Sequence, residues 1–296
     1  MHTPTKEDLN NLYKLLGYRL VEDTQYSLTT VVGWFKNRSV LVETTEEYAI
    51  MSCKFDQTTV FFAPLTANKE LFPFAVKKCE EYGATRINGL NEWQSAIIKD
   101  MGYSLKFNRD YSEYLYNPDD LIYLKGKKFH AKRNFINGVN YPYEFRSYEP
   151  SDRTELDKLF YKWNVLHVDG AENLTDDEIK QKIAEEGEQQ VIDAVLDDLN
   201  AFNLFADVLI TDGKIIGFAA GEILPNGIGA IYFEKGDIDY KGIYPLLDNA
   251  FCKKHFDGGV VKYINKQEDM GVEGLRKSKL SYNPVKFAER YNAKKI

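Results

Sequence analysis

The residues between Gly227 and Tyr282 constrain this chain more than any others. Their hydrophobicity switches between the two-residue period of a strand and the 3.6-residue period of a helix. Residues 228–235 read as a strand, 236–241 as a short loop and 242–256 as a helix. Residues 260–265 are a second strand, 266–271 a charged loop and 272–280 a second helix. Polar residues crowd where strands end and helices begin. In open α/β sheets that edge is where ligands bind.

The same order occurs earlier in the chain. Phe61-Phe62-Ala63-Pro64 precedes a helix containing Lys77-Lys78-Cys79, and Thr85-Arg86-Ile87-Asn88-Gly89, another helix and a strand follow. In the later copy Ile231-Tyr232-Phe233-Glu234 precedes a helix containing Cys252-Lys253-Lys254. Val261-Lys262-Tyr263-Ile264-Asn265, a helix and Pro284-Val285-Lys286-Phe287 come next. The match runs over roughly sixty residues, too long a period for a solenoid. The expectation is an α/β (α+β) chain of two copies of one domain. The first, 1–120, is degenerate, with Ala63-Pro64 where the second has Glu234-Lys235. A linker helix lies within 121–140, read over 121–137, and 141–296 carries the site. Phe55-Asp56-Gln57-Thr58 is expected as a hairpin turn.

At 296 residues and 44% hydrophobic the chain has material for two cores. A net charge of −7 argues against a general affinity for nucleic acid, and no DNA partner is expected. Much of the acid lies in 171–200, with about ten carboxylates against two lysines. The three cysteines are scattered and the four histidines do not cluster, so neither a disulfide framework nor a metal site is expected. No apolar run approaches the ~20 residues of a membrane span, and the first residues lack the apolar core of a signal peptide. The expected location is the cytoplasm.

Several strings carry a family resemblance. They are Leu124-Lys125-Gly126-Lys127-Lys128-Phe129-His130-Ala131-Lys132-Arg133-Asn134-Phe135-Ile136-Asn137, Phe233-Glu234-Lys235 and Lys241-Gly242-Ile243-Tyr244. To these add Tyr263-Ile264-Asn265 with Glu268-Asp269, Gly274-Leu275-Arg276-Lys277-Ser278-Lys279-Leu280-Ser281-Tyr282, and Arg109-Asp110 with Glu113-Tyr114. Together they resemble the soluble bacterial relatives of the C-terminal domain of phosphatidylglycerol lysyltransferase. The resemblance implies two tandem GCN5-related (GNAT) acyltransferase folds, mixed sheets flanked by helices. It also implies transfer of an acyl or aminoacyl group to an amine or hydroxyl acceptor. The donor would be the 3′ end of an aminoacyl-tRNA or an acyl-CoA, with no cofactor firmly assigned. Two alternatives stay open: a non-catalytic binding module for an anionic ligand, and a CoA-dependent N-acetyltransferase of a small amine.

Acyl transfer needs a base and donors for the developing oxyanion. Glu234, near the end of its strand, is the candidate base, and a surface ion pair is the bland alternative. Tyr282 is the candidate acid, against a role in the core. The loop before the helix at Gly242 is an anion site in principle, giving Lys235, Lys241, Gly242 and Tyr244 as donor-binding candidates. Acyl-CoA members of the fold carry Gln or Arg, two residues, Gly, one residue, then Gly or Ala there. Here Asp239 and Tyr244 occupy the first and last of those places, which disfavours CoA. Arg276 and Lys279 share a helix face and suit a phosphate or carboxylate, with Asn265 and Glu268 nearby in sequence. His130, Arg133 and Asn137 form a polar stripe with Asn134 that would bind substrate or be a solvated helix face.

Overall fold

The computed structural model describes residues 1–36, 38–55 and 58–296. The expected turn's central residues, Asp56 and Gln57, lie outside the described residues. The chain divides into two compact units. One comprises Met1–Tyr116, Ile223–Ala230 and Asn265–Ile296; the other comprises Asn117–Glu222 and Ile231–Ile264.

The first unit begins with α1 (Lys6–Leu16), β1 (Leu41–Thr44), β2 (Tyr48–Phe55), β3 (Thr58–Phe62) and β4 (Leu65–Thr66). It continues with α2 (Phe72–Glu81), β5 (Arg86–Leu90), α3 (Glu92–Asp100), β6 (Tyr103–Phe107) and β7 (Glu113–Tyr116). The second unit carries α4 (Pro118–Tyr123), α5 (His130–Asn137), β8 (Glu144–Ser147), α6 (Arg153–Val165), α7 (Asp176–Glu186) and α8 (Glu188–Asp197). After these come β9 (Phe205–Thr211), β10 (Lys214–Ile223), β11 (Ile228–Gly236), α9 (Ile243–Phe256) and β12 (Tyr263–Asn265). The chain closes with α10 (Glu273–Leu280), β13 (Lys286–Ala288) and β14 (Tyr291–Lys295).

The first unit's sheet runs β1-β2-β3-β5-β14-β6, with β4 on β2. It is mixed, since β3 and β5 are parallel while the other pairs are antiparallel. The last strand of the chain therefore completes a sheet begun by the first hundred residues. Ala293 opposes both Ile87 and Leu105, and it joins Ile50, Phe72, Val76, Ile87, Ile98 and Tyr103 in one apolar core. In the second unit the strands lie in the order β12-β11-β10-β9-β8. Phe160 of α6 packs edge-on against Phe218 of β10, ring centroids 5.2 Å apart.

The expected linker helix is two helices. Leu124 and Gly126 take left-handed φ values of 48° and 87°, which end α4. Arg133 of α5 reaches back to hold the break, donating to the carbonyls of Leu124 and Gly126.

Candidate functional site

The described site residues divide between the two units. Asn265, Glu268, Arg276, Lys279 and Tyr282 belong to the first; His130, Arg133, Asn137, Glu234, Lys235, Lys241, Gly242 and Tyr244 belong to the second.

In the first unit a buried polar cluster surrounds Glu113, the first residue of β7. Glu113 is 2% exposed and accepts from the Thr24 amide and hydroxyl at 3.1 Å, Asn265 Nδ2 at 2.5 Å and Arg290 Nη2 at 2.5 Å. Arg290, also buried, gives Nη1 to Gln25 Oε1 at 2.7 Å and lies 3.5 Å from Asp23. Gly89 makes room for this pair, since a Cβ there would fall 1.9 Å from Gln25 Oε1. Three carboxyls, those of Asp23, Glu113 and Glu268, thus share one buried guanidinium. Burial is the main force on two of them. It pushes the Asp23 carboxyl up, opposed by Arg290 and aided by Glu113. It pushes the half-buried Glu268 carboxyl up as well, again aided by Glu113. Burial opposes the charge on Arg290, but Asp23 and Glu113 outweigh it and fix the guanidinium as a cation.

The loop that carries Glu268 is tightly held. Gln267 and Met270 have left-handed backbones, with φ of 60° and 50°. Lys279 of α10 donates Nζ to the carbonyls of Lys266 (2.6 Å) and Glu268. Arg276 forks onto Asp269, Nε to Oδ2 at 2.9 Å and Nη2 to Oδ1 at 2.8 Å, and also reaches Asp110 at 2.6 Å. Asp269 further accepts from Tyr114 Oη at 2.5 Å and Arg109 Nη1 at 3.1 Å. Burial pushes the Asp269 carboxyl up, yet Arg276, Tyr114 and the Gly271 amide together hold it well below the usual carboxylate range. Arg276 and Lys279 therefore shape the loop. Tyr282 is buried, edge-on to Tyr116, with Lys266 Nζ 4.8 Å above its ring.

In the second unit the end of β11 is filled by side chains. Lys235 is 4% exposed; its Nζ lies 2.5 Å from Glu188 and 3.2 Å from the centroid of the Trp163 ring. Trp163 Nε1 donates to Tyr244 Oη at 2.8 Å. Glu234 is half-buried and, one residue from Lys235, projects from the other face of the strand. Three amides of the following loop are engaged within the protein. Asp239 N–H goes to Asp237 Oδ1 at 3.1 Å, Tyr240 N–H to Asp237 O at 3.1 Å, and Asp237 N–H to Ile216 O at 2.8 Å. Lys162 of α6 pairs with both Asp237 and Asp239. A loop that cradles a pyrophosphate must offer free amides to it; here the Asp237 carboxylate takes that of Asp239.

Gly242 has a packing role. Its φ is +85°, and an added Cβ would fall 2.6 Å from Phe135 O of α5 and 3.2 Å from Val139. Gly242→Ala is expected to cost about 1–3 kcal/mol, read as a lower Tm. Of the α5 stripe, His130 and Asn137 are exposed and Arg133 is committed to the α4 break. Lys241 is exposed.

Sequence reasoning missed Asp23, Glu113, Arg290, Trp163 and Glu188. Glu113 sat inside a family string without a role. Asp23, in Glu22-Asp23-Thr24-Gln25, had no local pattern, and Arg290 lies beyond the last helix.

Two mixed α/β units of this kind are GNAT-like, and the fold is that of the acyl- and aminoacyltransferases in general. The chain belongs to the family described as phosphatidylglycerol lysyltransferase, C-terminal, whose model matches residues 18–294. A conserved protein of unknown function from Bacteroides thetaiotaomicron is similar over 99% of this chain and 98% of its own, with a TM-score of 0.85 and 24% identity. L-PGS from Bacillus licheniformis is similar over 100% and 93%, with a TM-score of 0.65 and 16% identity. A tandem GNAT protein from the clavulanic acid biosynthesis pathway is similar over 99% and 97%, with a TM-score of 0.51 and 9% identity. Among the described residues no helix is long and apolar enough to cross a membrane. No group of three or more His, Cys, Asp or Glu among them is placed to hold a metal ion.

Proposed function

We infer that this protein transfers an aminoacyl group from an aminoacyl-tRNA to an amine or hydroxyl acceptor, and that Glu268 takes the acceptor's proton. The observation that carries the reading is the raised carboxyl of Glu268 beside the buried Glu113–Arg290 pair. A base works best when its pKa lies near the working pH, and a carboxyl lifted by burial approaches that condition. The acceptor nitrogen or oxygen attacks the ester carbonyl of the donor while its proton passes to Glu268. The new bond to the acyl carbon forms, the ester C–O bond breaks, and Glu268 returns the proton to the departing sugar oxygen. This assigns the base to Glu268 rather than to Glu234, and gives Tyr282 a packing role. The boundaries 1–120 and 141–296, with a degenerate first copy, belong to the same proposal.

Support for tRNA over CoA comes from the loop after β11, where the Asp237 carboxylate takes the Asp239 amide and Asp239 stands in place of the Gln or Arg of acyl-CoA members of the fold. The test is retention on a filter of labelled aminoacyl-tRNA and, in parallel, labelled acetyl-CoA. Retention of the first alone is expected. Retention of acetyl-CoA alone would reverse the choice of donor.

A further inference from the structure

The turn between α4 and α5 concentrates positive charge in a chain whose net charge is −7. Residues 125–133 hold five cations, Lys125, Lys127, Lys128, Lys132 and Arg133, and no acid. Lys125, Lys127 and Lys128 are exposed. α9 adds another lysine. Its Asn249 donates Nδ2 to the carbonyls of Leu121 (2.6 Å) and Ile122 (2.8 Å) near the end of α4. Lys253, one helical turn on and exposed, therefore lies on the α4 side of α9. Lys125 Nζ sits 4.7 Å from the centroid of the Tyr123 ring, whose hydroxyl donates to Asp257, the residue after α9, at 2.7 Å.

Two of these cations serve the fold. Lys128 pairs with Asp120 at 2.7 Å, and Arg133 holds the α4 break. Lys125 and Lys127 meet no carboxylate among the described residues. The placement of the charge is also unfavourable in the free protein. Lys127 and Lys128 open a 3₁₀ turn, Lys127–Phe129, that runs into α5 with no acid and no side-chain cap at its start. The leading end of a helical segment is partly positive and disfavours cations. α1, α4, α6, α7, α8 and α10 carry acids there instead. Lysines that pair with nothing, set where they repel, fit a polyanion supplied from outside.

We propose that Lys125, Lys127 and Lys253 form a surface that contacts the phosphates of an RNA stem. The proposal rests on the reading of an aminoacyl-tRNA as donor, and adds where the body of that RNA docks. Ammonium groups on flexible stems position an RNA through its phosphates without reading its sequence. The acidic remainder of the chain repels the same phosphates and confines docking to this corner. The apolar side chains of the turn, Leu124 and Phe129, are buried, so it has only charge to offer a bilayer.

The test measures binding of fluorescently labelled, deacylated tRNA by anisotropy, from about 50 to 200 mM salt. Lys125→Gln/Lys127→Gln/Lys253→Gln is expected to bind at least about tenfold more weakly than wild type at the lower salt, with a salt slope smaller by about 2. Lys6→Gln/Lys77→Gln/Lys106→Gln removes the same charge from exposed positions elsewhere and should bind as wild type does. An unchanged Tm for both variants excludes misfolding. Sedimentation with phosphatidylglycerol vesicles runs in parallel. A corner variant that binds tRNA as tightly as wild type overturns the surface and leaves the donor reading standing, whether or not it loses the vesicles; losing them assigns the corner to a membrane. A control variant weakened equally also overturns it, because net charge and not this corner then sets the affinity. Wild type that binds no tRNA overturns both the surface and the donor.

Discussion

Replacing Arg290 with methionine will lower the stability of this protein by about 3–5 kcal/mol, the usual cost of removing one partner from a buried ion pair. The size follows from what is left behind. Glu113 is 2% exposed and is left with Asn265 and Thr24 but without its guanidinium partner. Asp23, already pushed up by burial, loses the guanidinium that opposed the push. Gln25 loses its donor as well. Lysine at 290 should do better than methionine and worse than arginine, since it carries the charge but cannot fork between Gln25 and Glu113. The denaturant midpoint measures this. A loss of under about 1 kcal/mol for Arg290→Met would show that the cluster is not closed to water.

Glu268→Gln will lower the transfer rate by about 10²–10⁴, the range for losing a general base. The same change will flatten the acidic limb of the pH–rate profile. The base is active when deprotonated, and its pKa is raised, so wild-type activity falls as pH drops through that raised value. Stability moves the other way. A carboxyl that holds its proton more tightly folded than unfolded stabilises the fold at low pH. That contribution is lost as pH rises from about 4, the ordinary carboxylate value, through the raised one. Above that window Glu268→Gln should be at least as stable as wild type. A variant both inactive and unfolded would point to a structural role for Glu268; one active and stable would remove it as the base.

The fold was largely legible in the sequence. The strand–helix order of 227–282 matches β11, α9, β12 and α10. Local periodicity reports such elements because each residue's face is set by its own helix or strand. What it could not report was which distant elements share a sheet. β14 lies between β5 and β6, an arrangement fixed by non-local pairing of Ala293 with Ile87 and Leu105. The same limit hid the polar cluster: Asp23, Glu113 and Arg290 lie far apart in the chain and meet only through the fold. Arg276 and Lys279 do share a helix face, as their spacing implies, but that face holds the Glu268 loop through Asp269 and two carbonyls. Spacing identifies neighbours on a helix; it does not say what they are neighbours of. Tyr244 was legible in a different way, as a large residue where acyl-CoA members of the fold carry Gly or Ala; its hydroxyl accepts from the Trp163 indole N–H.

The most direct measurement offers both donors to one sample. Aminoacyl-tRNA and acetyl-CoA, each with a different isotope in its acyl group, are incubated together with the protein and a mixture of small amines and hydroxyl acceptors. Mass spectrometry then reads which label the acceptors carry. The label of the aminoacyl group, lost in Glu268→Gln, is the expected result. An acetyl label that persists in Glu268→Gln would contradict both the donor and the base.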